Sequence, residues 1–230
     1  MANVILVSGT HHDGTVFAAL QGQLQAMGHT VFAPDLTGLA PEYRPGLPIN
    51  LDTHISDVLS VIDANRLTEV ILVGSSYGGM VITGAADRCS AKVISLVYLD
   101  AAVPLPGQRE WDLIDENLQK FFLASSKDGI NIDVNPEFLA FRPNLMPHPL
   151  ATKLQPLNYS ADLFEKQRNI YVFAEKGFHE PNPKGVFENV YRRYLTDPNW
   201  ETVSLPFGHD LPTEAPTEIA NIIHASAIAE

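Results

Sequence analysis

The sequence lacks the residues that a disulfide framework or a thiolate metal centre needs. Cys89 is the single cysteine among 230 residues, so neither an internal disulfide nor a CxxC pair can form. Basic residues are also scarce, with 15 Lys and Arg against 27 Asp and Glu, and the formal net charge of −12 disfavours binding to a phosphate backbone. We therefore expect a cytoplasmic protein that binds no nucleic acid.

Long apolar runs are absent as well. No stretch approaches the length of a membrane span, and the chain begins with an apolar strand in place of a basic segment and a cleavage site. Charged residues make up only 18% of the chain and hydrophobic residues 45%, which excludes a disordered or coiled-coil protein. We expect one globular domain over residues 1–230 that does not associate with a membrane.

Short β-branched apolar runs alternate with segments of helical period along most of the chain. We predict strands at residues 4–7, 31–33, 70–73, 93–99, 170–173 and 202–205. We predict helices at residues 16–27, 51–64, 77–88, 185–195 and 213–227. This alternation is typical of an α/β protein with a mostly parallel sheet of about six strands, helices on both faces, and ligands at the carboxyl ends of the strands.

One long segment interrupts the alternation. Residues from about 103 to 166 contain seven prolines and none of the predicted strands, which indicates a small inserted cap. Trp111, Ile114, Leu118, Phe121 and Phe122 fall at helical spacing and predict one apolar helical face. That face either packs the cap onto the sheet or lines a substrate pocket, and in the second case Trp111, Phe121 and Phe122 would contact substrate.

A G-x-S-x-G sequence at residues 74–78 follows a predicted strand and begins a predicted helix. This is the context of a nucleophile elbow, a sharp turn that presents a serine and needs small residues on either side. The glycines are centred on Ser76, so we predict Ser76 as the nucleophile and consider Ser75 the weaker candidate. The backbone N–H of Tyr77, at the start of the helix, is a candidate donor to an oxyanion.

A serine hydroxyl becomes a good nucleophile only when a base takes its proton. His209 follows the strand at 202–205 and is predicted to reach the same edge of the sheet as Ser76. Two carboxylates end earlier strands and either could orient His209, namely Asp100 and Glu175. We favour Asp100 because its shorter side chain directly ends a strand, whereas Glu175 has Lys176 beside it as a partner.

The loop after the first predicted strand completes the candidate site. The N–H of Thr10 is the predicted second oxyanion donor. Gly9 and His12 are candidates for substrate contact, and His12 could equally brace the loop. His29 and His54 are expected to lie away from the site, and no histidine pair has the spacing of a zinc site, so we expect no metal.

With these motifs in view, the sequence resembles the α/β-hydrolase superfamily, in the small-cap branch that holds plant hydroxynitrile lyases, plant methyl esterases, and bacterial carbamate and pyrethroid esterases. The resemblance rests on residues 7–12, 31–39, 51–58, 74–80, 96–100 and 208–210. It implies cleavage of a small, mostly apolar ester, lactone or carbamate through a serine acyl-enzyme, without a cofactor. The resemblance also implies a possible homodimer.

The sequence departs from the resembled families at several site positions. Family members usually have histidine where this chain has Ser8 and Ser75. The plant lyases have lysine and threonine at the positions of Asp210 and Gly9, which disfavours cyanohydrin cleavage. Two alternatives stay open: a cofactor-independent lyase or dioxygenase in which His209 is the base, and a non-catalytic binding protein that keeps the fold.

Overall fold

A computed structural model of the chain describes residues 1–40, 48–89, 91–140, 142–177 and 187–227. Its strands, in chain order, are β1 (Asn3–Val7), β2 (Thr30–Phe32), β3 (Glu69–Ser75), β4 (Lys92–Leu99), β5 (Asn131–Ile132), β6 (His148–Pro149), β7 (Arg168–Ala174) and β8 (Trp200–Leu205). Its helices are α1 (Ala18–Ala26), α2 (Leu51–Ala64), α3 (Gly78–Arg88), α4 (Glu116–Ser125), α5 (Pro136–Leu139), α6 (Ala151–Leu154), α7 (Glu188–Tyr194), α8 (Leu211–Glu214) and α9 (Pro216–Ser226). Within these residues no helix is both long enough and apolar enough to cross a membrane.

Six of the strands form one parallel sheet in the order β2-β1-β3-β4-β7-β8. Alternate residues of its strands are buried in two separate cores. Ile5 and Leu72 belong to the core with α2 and α3, whereas Leu6 and Val73 belong to the core with α1 and α9. A strand buried on both faces reads as a continuous apolar run, which is why these strands were recognisable. The predicted parallel α/β architecture is confirmed.

Helix α2 has the predicted bounds because its sequence carries both a start signal and an apolar stripe. Asn50 and Thr53 form a reciprocal capping box at its first turn. Leu51, Ile55 and Val58 recur at helical spacing and are fully buried. The cap and the stripe together fix how α2 lies against the sheet.

Two predicted helices differ from the observed ones. The first begins as a 3₁₀ turn, Gly14–Phe17, before α1. The last is divided into α8 and α9 at Ala215, because Pro216 lacks an N–H and begins a new helix. Of the predicted helix at 185–195, residues 185 and 186 lie outside the described residues, and α7 covers most of the rest.

The observed structure between β4 and β7 differs from the single apolar helical face that the sequence predicted. Trp111 lies in a 3₁₀ turn, Glu110–Asp112, and α4 begins only after Asp115, whose side chain accepts a hydrogen bond from Leu118 N. Neighbouring helical residues point about 100° apart, so Phe122 is buried while Phe121 is 42% exposed. The five residues therefore do not share one face, and the prediction was wrong because it ignored the Asp115 cap.

Candidate active site

The candidate nucleophile lies in a strained turn between β3 and α3. Ser76 has a φ of +54°, which is unusual for a residue other than glycine and typical of functional turns. A Cβ atom at Gly74 would lie 2.7 Å from the carbonyl carbon and oxygen of Gly78, so the turn closes only without a side chain there. This geometry is the one expected of a nucleophile elbow.

Backbone hydrogen bonds fix Ser76 against the end of β4. The amide of Ser76 donates to Leu99 O at 3.2 Å, and the amide of Ala102 donates to Ser76 O at 3.0 Å. The next residue after Leu99 is Asp100, which has a φ of +41° and is 97% buried, with 3% of its surface exposed. Two consecutive parallel strands thus end in two strained polar residues at one edge of the sheet.

His209 reaches the same edge from β8. Its Nδ1 lies 2.7 Å from Asp100 Oδ2, and because an ionised carboxylate only accepts hydrogen bonds, Nδ1 carries the proton. Its backbone amide donates to Gly177 O at 2.9 Å, and its ring stacks on that of Phe187 with 5.6 Å between centroids. The imidazole is therefore fixed by a carboxylate, a backbone bond and an aromatic ring.

Glu175, the other candidate acid, points elsewhere. It is exposed at the end of β7, and its Oε1 accepts a hydrogen bond of 2.7 Å from Ser204 Oγ on the neighbouring β8. Asp100 is the carboxylate that contacts the His209 ring. The two acids that the sequence left open thus have different partners.

The loop after β1 lies directly against Ser76. A Cβ atom on Gly9 would be 2.9 Å from the Cβ of Ser76, so this loop and the elbow are in close contact. Within the described part of the chain, the amides of Thr10 and Tyr77 donate no hydrogen bond. Tyr77 follows Ser76 in the chain, Thr10 follows Gly9 at the contact with Ser76, and both amides have spare donor capacity.

His12 braces this loop. Its Nδ1 is 2.9 Å from Thr10 O, and Arg142 Nη1 is 3.2 Å from its Nε2. Because Arg142 can only donate, Nε2 accepts and Nδ1 donates to Thr10. Burial lowers the pKa of His12, in agreement with a neutral ring. Ser8, one of the departures from the resembled families, donates from Oγ to His12 O at 2.7 Å.

Sequence reasoning missed a buried polar cluster beneath the site, and the expected position of His54 was wrong. His54 Nδ1 lies 2.9 Å from the hydroxyl oxygen of Tyr77, and its Nε2 lies 2.9 Å from Thr37 O. Burial lowers the pKa of His54 to about 4, so the ring is neutral. A signal was present, because His54 lies on the apolar stripe of α2, where a side chain must be buried.

The cluster continues into the segment between β4 and β7. His148 is fully buried, its ring centroid is 4.8 Å from that of Tyr77, and burial lowers its pKa well below the ordinary value. Lys153 is also fully buried, 2.7 Å from the Glu110 carboxylate. No periodic pattern marked these residues, because they lie in or beside elements of only two to four residues.

The three aromatic candidates between β4 and β7 lie in different surroundings. Phe122 is buried, with its ring centroid 5.6 Å from Lys153 Nζ. Trp111 is half-buried against the core, and its carbonyl oxygen accepts from Gln119 Nε2. Phe121 lines a surface recess with Asp133 and Pro136, and Ser76 is not among the residues that line it. Among the described residues, no three His, Cys, Asp or Glu side chains are grouped as metal ligands.

Comparisons with known proteins agree on one family. Residues 4–222 match the family model described as the alpha/beta hydrolase family. The chain is 34% identical over 245 aligned residues to the carbendazim hydrolyzing esterase of Nocardioides sp. (strain SG-4G), which covers 98% of this chain and 99% of that protein.

Solved structures show the same fold. An extracellular alpha/beta-hydrolase from a Paenibacillus species superimposes with a TM-score of 0.83 at 18% identity, covering 98% of this chain and 99% of that one. A pyrethroid hydrolase from Sphingobium faniae JZ-2 superimposes with a TM-score of 0.73 at 22% identity, covering 98% and 97%.

Proposed function

The chain belongs to the alpha/beta hydrolase family, and on that premise we propose that it hydrolyses a small, mostly apolar carboxylic ester, carbamate or lactone through an acyl-enzyme on Ser76. The observation that carries the proposal is the contact of 2.7 Å between Asp100 and His209 at the sheet edge where the strained Ser76 emerges. Similarity over nearly the whole chain to a protein named as a carbendazim hydrolyzing esterase supports an ester or carbamate as substrate.

In the proposed reaction His209 is the base. Asp100 holds the ring through Nδ1, and Nε2 takes the proton of Ser76 as the serine oxygen attacks the substrate carbonyl. The tetrahedral intermediate collapses, His209 gives the proton to the leaving alcohol or amine, and Ser76 keeps the acyl group. Water then attacks the acyl-enzyme with His209 again as base, releasing the acid and restoring Ser76.

The amides of Thr10 and Tyr77 are the proposed oxyanion donors. Tyr77 follows Ser76 in the chain, Thr10 follows Gly9 at the contact with Ser76, and neither amide donates a hydrogen bond within the residues that the structure describes. A donor preorganised toward the developing negative charge is worth about 10²- to 10³-fold in rate. In this scheme Gly9 keeps the loop close to Ser76, and His12 holds the Thr10 carbonyl so that the amide faces the reacting centre.

Other parts of the proposal rest on the sequence. We assign no metal or organic cofactor to the reaction, since the proposed steps use only side chains and backbone amides. The cytoplasmic location rests on the single cysteine, Cys89. The proposed homodimer rests on the family resemblance. Light scattering coupled to size-exclusion chromatography tests it by measuring the molar mass in solution.

The decisive experiment is covalent labelling with a fluorophosphonate, with the adduct mapped by mass spectrometry, beside p-nitrophenyl esters of increasing acyl length. We expect an adduct on Ser76 and turnover that Ser76→Ala lowers by about 10⁴-fold or more. Ser75→Ala is the matched control and should keep most activity. Folded protein that forms no adduct and cleaves no ester would contradict the proposal and favour a lyase or oxygenase with His209 as base.

A further inference from the structure

A buried ion pair from the cap lies beside the candidate oxyanion donors. Lys153 on α6 and Glu110 in the 3₁₀ turn after β4 are 0% and 2% exposed, and Nζ is 2.7 Å from Glu110 Oε2. Taking two charges out of water is unfavourable, and apolar residues of similar volume would often stabilise a fold as well or better. Such a pair therefore calls for a role other than stability.

The remaining contacts of Lys153 point to that role. Its Nζ donates a hydrogen bond of 2.6 Å to Thr10 Oγ1 and lies 4.1 Å from the centroid of the Tyr77 ring. Thr10 and Tyr77 are the two residues whose amides are the proposed oxyanion donors. One ammonium group thus contacts the side chains of both.

Thr10 is consequently held from two sides. Its carbonyl accepts from His12 Nδ1 at 2.9 Å, and its hydroxyl oxygen accepts from Lys153. The amide N–H is the polar group of Thr10 that has no hydrogen-bond partner within the described residues. Fixing the other groups orients this N–H.

The histidine rings in the same cluster as Lys153 are neutral. Three histidine rings of this cluster, His11, His54 and His148, have pKa values lowered chiefly by burial and further by the charge of Lys153. Neutral rings neither repel the ammonium nor compete for Glu110. Glu110 therefore fixes where the ammonium lies, and the ammonium fixes Thr10.

We propose that Lys153, held by Glu110, is a positioning residue that sets the amides of Thr10 and Tyr77 for oxyanion stabilisation and so couples the cap to the reaction. This inference rests on the proposed function for its effect on rate, but the positioning itself is independent of any reaction. The two can therefore fail separately.

The first arm of the test needs no substrate. The amides of His11 and His12 donate to His148 Nδ1 and Gly9 O, each at 3.4 Å, and report on the order of the loop. Hydrogen exchange of the peptide covering residues 8–13 is compared in wild type and in the double variant Lys153→Met with Glu110→Gln, which removes both charges at similar volume. We expect the amides of this peptide to exchange about tenfold faster or more in the double variant than in wild type, because local unfolding dominates hydrogen exchange in such loops.

The second arm measures the oxyanion hole directly. A thionoester places sulfur, a weak acceptor, where an ester has oxygen, so the rate ratio of ester to thionoester falls when the donors are misplaced. We expect the double variant to lose about ten- to a hundredfold in kcat with little change in KM, and to show a lower ratio. Arg88→Met removes an exposed ion pair with Asp52 and should change none of these values.

Thr10→Val is a second variant for the same test. It removes the hydroxyl group that accepts from Lys153 at nearly constant volume and leaves both buried charged side chains in place. If the double variant fails to fold, the same losses in Thr10→Val support the inference, and unchanged exchange and ratio there overturn it. Faster loop exchange in a protein that cleaves no ester supports the positioning and contradicts the proposed function. Ester cleavage with unchanged exchange and ratio in folded variants overturns the inference alone.

Discussion

His209 Nδ1 lies 2.7 Å from Asp100 Oδ2 although 109 residues separate the two in the chain. Strand β7 lies between β4 and β8 in the sheet, so this contact bridges across the end of a strand. Asp100 is anchored to that strand by its own amide, which donates to Val172 O at 2.7 Å. The sheet thereby fixes Asp100, and Asp100 in turn fixes His209.

The first prediction concerns this pair. Asp100→Asn keeps the shape but offers Nδ1 an amide in place of a carboxylate, so the imidazole loses its orientation and its favoured tautomer. We expect kcat for a p-nitrophenyl ester to fall by about 10⁴-fold. Glu175→Gln is the matched control because Glu175 bonds Ser204 on the exposed end of β8. Loss of activity in Glu175→Gln with an active Asp100→Asn would show that the acid is misassigned.

The second prediction concerns the contact between the first loop and the elbow. A methyl group at Gly9 would meet the Ser76 Cβ at 2.9 Å, so Gly9→Ala must move the loop or the serine. A displacement of even about 1 Å costs roughly a hundredfold in rate. Steady-state kinetics should show that loss mainly in kcat.

Gly22→Ala is the control for the same chemical change in open space. Gly22 is exposed within α1, and a Cβ atom there meets nothing within 4 Å. Alanine in a helix interior is more stable than glycine by about 1 kcal/mol. Thermal unfolding should therefore occur about 2–4 °C higher, with unchanged kinetics. Equal kinetic losses in both variants would rule out a specific contact at Gly9.

The third prediction is acid sensitivity of the fold. His54 is fully buried, and its pKa is about 4 against an ordinary value of 6.5, chiefly because burial disfavours the charged ring. Between these values the unfolded chain binds the extra proton, so stability is full above pH 6.5 and falls as the pH is lowered toward 4. Each pKa unit corresponds to about 1.4 kcal/mol, which gives roughly 3 kcal/mol from His54 alone.

Urea unfolding at pH 7.5, 6.5, 5.5 and 4.5 measures this dependence as the free energy of unfolding. His54→Gln lacks the titrating ring and should show a shallower fall over the same interval. Its stability at pH 7.5 will be lower, since the bonds to Tyr77 and Thr37 change, so the slope is the informative quantity. Identical slopes in the two proteins would mean that His54 does not contribute to the acid sensitivity.

The sheet and the elbow were predictable because their signals are local. Strands buried on both faces are apolar throughout, helix α2 carries its own cap and stripe, and the glycines around Ser76 mark a turn that tolerates few other residues. These features depend on neighbours in the sequence. The physical constraint and the pattern therefore coincide.

The segment between β4 and β7 was not predictable to the same depth because most of its elements are short and depend on distant contacts. Strands β5 and β6 have two residues each, and α5 and α6 have four. Lysine is rarely buried, so composition alone gives no reason to expect Lys153 in the interior. Its position follows from Glu110 and Thr10, which are 43 and 143 residues away.

The segment predicted to be a cap leaves the sheet after β4 and returns to it at β7, and these two strands are neighbours. Because the two strands are parallel, the segment starts at the carboxyl edge of the sheet and returns at the opposite edge, so a segment exchanged between related proteins must span the same distance. In this protein an exchanged segment must also preserve the hydrogen bond to the Thr10 hydroxyl. A transplanted cap that fills the volume of Lys153 and Glu110 with apolar groups would leave the hydroxyl of Thr10 without its donor, so a working chimera must carry the pair or redesign the first loop with it.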